Sequence, residues 1–172
     1  MNRFHLWYCN SPGWARMMHE QLMPGVLKGV ELGNDVLEIG PGPGVTTDWL
    51  RTRAPRLTAI EIDSKLAEKL GQRMEGTNVT VVEGDATAMS FPDASFDGAV
   101  SFTMLHHVPT AELQDRLLAE ACRVLRPGGR FTGFDSTPSL RWNLIHLFDT
   151  RNPIDPGTFG GRLEHAVFTE VS

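Results

Sequence analysis

The chain has 172 residues, 41% of them apolar and 22% charged, a formal net charge of −5 and two cysteines. That length suits one domain with a core of its own, and the apolar and charged fractions exclude a disordered chain. The acidity argues against a nucleic-acid backbone as partner; the distant Cys9 and Cys122 make neither a disulfide framework nor a thiolate zinc motif; and no run approaches the ~20 apolar residues of a membrane span, so no membrane partner and a cytoplasmic location are expected.

Ser11-Pro12 reads as an N-cap followed by Pro at the first helical position, opening a helix to about Leu22. Pro24-Gly25 should break it, with a second short helix over Val26–Leu32. Residues 1–33, with Trp7, Tyr8 and Trp14, read either as a lid or as a layer packed on the fold, ahead of a domain at 34–172. Asp35–Ile39 is a short buried strand, followed by a helix over Val45–Arg53, a strand over Arg56–Ile62, and a helix capped by Asp63 that runs to Met74. Further strands are expected at Asn78–Glu83, Phe96–Phe102 and Arg130–Phe134. Between the last two, a long helix starts at Thr110; Leu113, Leu117, Leu118, Ala121, Val124 and Leu125 keep its 3.6-residue period. Strands alternating with helices predict an α/β fold, a Rossmann-like, doubly wound and mainly parallel sheet with helices on both faces.

In such a sheet ligands bind at the carboxyl ends of the strands, where strand order reverses. Gly40-Pro41-Gly42-Pro43-Gly44 follows the first strand, where glycine permits positive φ and close approach to a ligand. The dinucleotide pattern Gly-x-Gly-x-x-Gly fails, because its third position falls on Val45; no Lys-Ser/Thr follows, which excludes a P-loop. Glu61 lies 21 residues beyond Gly40, a spacing at which a carboxylate can accept from ribose hydroxyls. Asp63 competes for that role but is better employed as a helix cap. Asp85, just past Gly84 at the end of the third strand, can accept from an exocyclic amine, and the Ala86 backbone can donate to a ring nitrogen. Together these three strand ends describe one nucleoside pocket.

The runs Val36–Gly44, Ala59–Asp63, Glu83–Ala86, Phe96–Val100 and Val124–Gly129 resemble the class I S-adenosylmethionine-dependent methyltransferases, in particular the broad small-molecule group known as type 11. The resemblance covers about residues 34–136 and implies S-adenosylmethionine as cofactor. By that resemblance Gly40 and Gly42 would approach the methionine part, Glu61 the ribose and Ile62 one face of adenine. Asp85 and Ala86 would meet the adenine edge, Ser101 would lie near the methionine amino group, and Glu38 would hold the loop and that amino group through water.

The fourth strand runs into Ser101-Phe102-Thr103-Met104-Leu105-His106-His107, where the methyl group should emerge. His106 or His107 could serve as general base, or both could simply pack in the loop. Enzymes that methylate exocyclic amines of nucleic-acid bases carry Asn/Asp-Pro-Pro-Tyr/Phe at this place. Glu61-Ile62-Asp63 resembles the ribosomal-RNA dimethylating branch, but the missing tetrapeptide and the acidity outweigh it and point to a small-molecule methyl acceptor and no nucleic acid. His5, His19, His146 and His165 show no ligand spacing, and no metal is expected. The competing readings are a non-catalytic S-adenosylmethionine-binding subunit and a nicotinamide-dependent oxidoreductase. Arg162–Ser172 reads as a helix end and the start of a sixth strand with no residues left for a seventh; that incomplete hairpin predicts either a truncated gene product or an exposed edge, through which the chain would self-associate into a homo-oligomer.

Overall fold

The computed structural model describes residues 2–147 and 149–171. The elements in chain order are α1 (Arg3–Cys9), α2 (Pro12–Met17), a wide π-type turn (Met18–Leu22) and α3 (Met23–Val26). Next come β1 (Asp35–Ile39), α4 (Val45–Leu50), β2 (Arg56–Glu61), α5 (Ser64–Met74), β3 (Val79–Glu83) and β4 (Phe96–Phe102). A 3-10 turn (Leu105–His107), α6 (Ala111–Val124), β5 (Leu125–Phe134), α7 (Leu140–Ile145) and α8 (Pro156–His165) complete the described chain.

The sheet has the order β3-β2-β1-β4-β5, and every pairing is parallel. The order reverses between β1 and β4, so the crevice above their carboxyl ends is the place for a ligand. Strand alternation sorts the core into two layers. Val36, Leu57, Val100 and Phe102 pack with Met18, Met23 and Leu50 on one face. Leu37, Ile39 and Ala99 pack on the other face with Leu117, Leu118, Ala121 and Val124 of α6, and Phe159 and Leu163 of α8 lean on the same layer. Within the segment read as a lid, therefore, Met18 and Met23 are fully buried core, while α1 lies further out.

The caps fall where the sequence places them: the side chains of Ser11, Asp63 and Thr110 accept from Trp14 N, from Lys65 and Leu66 N, and from Leu113 N. Pro24-Gly25, however, does not break the first helix. The preceding turn is widened, with Met23 N–H bonding to Met18 O, and the missing N–H of Pro24 is tolerated there, so the helical path runs on to Val26. No helix forms over Val26–Leu32; residues 27–29 turn and residues 30–33 are irregular. The Arg126–Gly129 turn proves to be an irregularity inside β5, which pairs Leu125 with Phe96 and then resumes at Arg130 opposite Gly98. The expected sixth strand is also absent among the described residues. Val167 and Glu170 adopt positive φ (71° and 55°), which interrupts extended backbone, and Phe168 folds back to stack on Phe131 at 5.5 Å.

Candidate functional site

The crevice holds a cavity of about 450 Å³, bounded by Gly40 and Gly42 after β1, Glu61 and Ile62 at β2, and Asp85 and Ala86 after β3. All three strand ends thus meet in one space, as the spacing predicts. Glu61 is buried and braces the loop: Gly42 N–H donates to its Oε2 and Asp63 N–H to its Oε1, both at 2.9 Å. Each carboxylate oxygen keeps a further lone pair for a ligand hydroxyl. Ile62 is 69% exposed although large and apolar, a surface that a flat ring could cover. Asp85 Oδ1 accepts from Thr87 N at 2.8 Å and shapes the turn beside it.

The glycines serve the fold as well as any ligand. Gly40, Gly42 and Gly44 all have positive φ (69°, 54° and 86°). A Cβ on Gly40 would stand 2.2 Å from Met104 Cγ, and one on Gly44 would stand 2.4 Å from Leu70 Cδ1. The third glycine is therefore needed for the approach of α5.

Glu38 and Ser101 do not border the cavity. Glu38 is 1% exposed and accepts from the hydroxyls of Thr46 and of Thr47 (2.6 Å), fastening β1 to the first turn of α4. Burial pushes its carboxyl up to about 7, against the opposing pull of these hydroxyls. Ser101 is buried, and its Oγ has no hydrogen-bond partner among the described residues.

A second cavity of about 410 Å³ adjoins the first, and His5, Cys9, Trp14 and Thr103 border both. Its far wall comes from Phe134, Asp135, Trp142 and His146. Thr103 sits at the junction with φ 51°, rare for a β-branched residue, and its N–H donates to Phe134 O at 2.9 Å. Burial pushes the Cys9 thiol up to about 12, which removes it as a nucleophile.

The two expected histidines part company. His106 is buried and borders the second cavity: its backbone N–H (3.0 Å) and ring Nδ1 both contact the Asp135 carboxylate, and its Nε2 lies 2.9 Å from His146 Nε2. His107 borders the first cavity, and its ring makes no hydrogen bond among the described residues. Burial, with the neighbouring imidazoles, pushes His107 down to about 2. The same cause holds His146 down to about 4 and lowers His5. The turn that carries the pair is clamped from below. Gln114 Nε2 donates to Leu105 O (2.9 Å) and Asn152 O (2.8 Å), and Asn152 N–H donates to His106 O at 2.8 Å. Sequence reasoning missed Gln114 and Asn152, as it missed His5 and His146. The apolar period of α6 marked position 114 as neither core nor site, and the other residues lie far away along the chain.

Residues 37–132 match the family model described as a methyltransferase domain. An uncharacterized methyltransferase of Mycobacterium tuberculosis is 32% identical over 140 residues, covering 80% of this chain and 68% of that protein. The chain belongs to the class I S-adenosylmethionine-dependent methyltransferases. A probable ribosomal RNA small subunit methyltransferase A of Thermococcus onnurineus is 50% identical over 62 residues, a match that spans 36% of this chain and only 23% of that relative. Among solved structures, the methyltransferase seen in complex with the Haloferax volcanii Trm112 methyltransferase activator superposes with a TM-score of 0.76 over 96% of this chain and 76% of that one, at 17% identity, which shows a shared fold.

These similarities correct the expected partners. Part of the chain is similar to a relative named for ribosomal RNA, and a fold neighbour is held by a protein activator, so the exclusion of nucleic acid and the expectation of a second copy as the protein partner do not stand. The physical reason is that net charge is an average over the whole surface, whereas nucleic acid reads local faces. As the family's cofactor, S-adenosylmethionine suits what the first cavity offers: a braced carboxylate at Glu61, an exposed apolar side chain at Ile62 and a carboxylate at Asp85.

Proposed function

We propose that this methyltransferase binds S-adenosylmethionine in the first cavity and methylates a small, partly apolar acceptor seated in the second. The observation that carries this reading is the contact between the two cavities at Thr103, beside His5, Cys9 and Trp14. When bound, S-adenosylmethionine supplies an electrophilic methyl group, and transfer is an in-line displacement that depends on how closely the nucleophile is aligned. In this reading Glu61 accepts from the ribose hydroxyls, Ile62 covers the adenine, and Asp85 and the Ala86 backbone meet its edge. The Gly40–Gly42 backbone lies along the methionine part. Glu38 holds the loop through α4, and Ser101 stays behind the cavity wall, buried, with its hydroxyl unpartnered among the described residues. His106, tied to Asp135 and His146, is the ring on the acceptor side, and His107 lies on the cofactor side of the junction.

The apolar and aromatic wall of Trp14, Phe134 and Trp142 supports an acceptor with an apolar body. A second reading, a nucleobase extruded into the same cavity, is favoured by the relative named for ribosomal RNA. Methyl-labelled S-adenosylmethionine, incubated with the chain and either a deproteinised small-metabolite extract or total RNA, tests the choice. Label in the small-metabolite fraction is the expected result. Label in RNA would establish the second reading, and label in neither fraction would sink the small-acceptor proposal.

A further inference from the structure

Three imidazoles from remote parts of the chain converge where the two cavities meet. His5 comes from α1, His107 from the 3-10 turn and His146 from the end of α7; one ring nitrogen of each lies within 4.8 Å of the others. His5 and His146 are buried and His107 is partly buried.

The hydrogen bonds fix which nitrogens carry protons. His5 Nδ1 faces Asp149 Oδ2 at 2.9 Å, and His146 Nδ1 faces Trp142 O at 2.8 Å. An oxygen that only accepts requires an N–H opposite it, so both Nδ1 atoms are donors, and in the neutral rings both Nε2 atoms hold bare lone pairs. His106 follows the same rule, since its Nδ1 faces the Asp135 carboxylate. Its bare Nε2 then confronts the bare Nε2 of His146 at 2.9 Å, lone pair against lone pair. Such an arrangement is repulsive unless a positive charge sits beside it. Metal-binding histidines are held in the same way, with the far ring N–H given to a carboxylate or a backbone carbonyl. Two carboxylates, Asp135 and Asp149, stand directly behind the rings, the right number to balance a dication.

We infer that His5, His107 and His146 form a binding site for one late-transition-metal dication, zinc foremost, with His106 Nε2 beside it. Imidazole nitrogen suits zinc, copper and nickel, whereas magnesium and calcium prefer oxygen, and neutral nitrogens about 2.0–2.1 Å from the ion complete a tetrahedral zinc site. Three protein ligands leave a fourth position, open to a group entering from the cavities. The ion would also fasten α1 and α7 to the β4 turn. Measuring its binding needs neither cofactor nor acceptor, so the site stands or falls apart from the methyl-transfer reading.

The test uses the full chain stripped of metal with a chelator. Zn²⁺ is titrated in competition with a chromophoric chelator, and Co²⁺ is followed by its visible absorption. One equivalent of Zn²⁺ and four-coordinate Co²⁺ bands are expected. Losing an outer partner of a metal ligand weakens affinity about 10–100-fold, so losing a ligand in His107→Gln, or in His5→Gln on a separate element, should weaken Zn²⁺ binding at least about 100-fold. The exposed His165→Gln should leave it unchanged. Circular dichroism shows which variants fold, and two variants on different elements keep the test decisive if one does not. No stoichiometric binding by the parent chain, or undiminished binding by a folded His107→Gln or His5→Gln chain, would overturn the site and assign the His106–His146 contact to a shared proton.

Discussion

Replacing Glu38 by Gln should remove most of one pH dependence from the stability of this fold. The Glu38 side chain is shut between β1 and α4, and burial lifts its carboxyl from the ordinary 4.5 to about 7. Between those values the unfolded chain has released the proton and the folded chain still holds it. Folding therefore binds a proton in that window, and stability falls as pH rises through it. At about 1.36 kcal/mol per pH unit, the folded chain gives up about 3 kcal/mol between pH 4.5 and pH 8. The Glu38→Gln amide has nearly the same shape. Its carbonyl can accept from Thr46 or Thr47, its NH₂ can donate to the other hydroxyl, and it carries no charge to desolvate. Urea unfolding at pH 5, 6, 7 and 8 measures the difference between the two chains. The variant should be close to the parent at pH 5 and about 3 kcal/mol more stable at pH 8, with the gap opening across pH 5–7. A gap that stays constant over this range would show that Glu38 does not titrate there and would refute the reasoning.

Glu61→Gln keeps one acceptor but turns an NH₂ toward either Gly42 N–H or Asp63 N–H, and it removes the charge offered to the ribose. S-adenosylmethionine should bind about 10- to 150-fold more weakly, the worth of about 1.5–3 kcal/mol, and calorimetry showing unchanged affinity would take Glu61 out of the site. Gly133→Ala would set a Cβ 1.9 Å from Ser101 O, inside the β4–β5 ladder. It should cost about 3 kcal/mol or more of stability, and a thermal midpoint equal to the parent's would contradict the strand spacing described above.

Local signals carried most of what the sequence disclosed. α5 and the caps at Ser11, Asp63 and Thr110 rest on contacts within a few residues, β1 and β4 show as short apolar runs bounded by turn residues, and all lie where the pattern put them. The cofactor crevice was legible for a related reason: in a parallel sheet, successive strand ends line up in space, so Gly40, Glu61 and Asp85 converge although they are spread along the chain. Pro24 was misjudged because a widened turn removes the need for its N–H, and propensity carries no record of that. The sixth strand failed because the residues after α8 turn back onto Phe131. His5 and His146 could not be paired with His107 from spacing at all. What unites them is the docking of α1 against α7, through Asn2 Nδ2 to Leu147 O at 2.9 Å and His5 to Asp149.

That docking bears on the order in which the pocket is built. Apart from Thr103 and His106, every residue bordering the second cavity comes either from residues 5–22 or from residues 134–146. The floor of the first cavity is supplied by residues 39–87, strand after strand. Contacts such as His5 to Asp149 span 144 positions, and contacts so distant in sequence close late, because the long intervening loop must first be ordered. The floor of the first cavity can thus assemble while the wall of the second is still open. In the proposed reading, acceptor selection would rest on contacts that close late, and cofactor capture on the sheet's own framework.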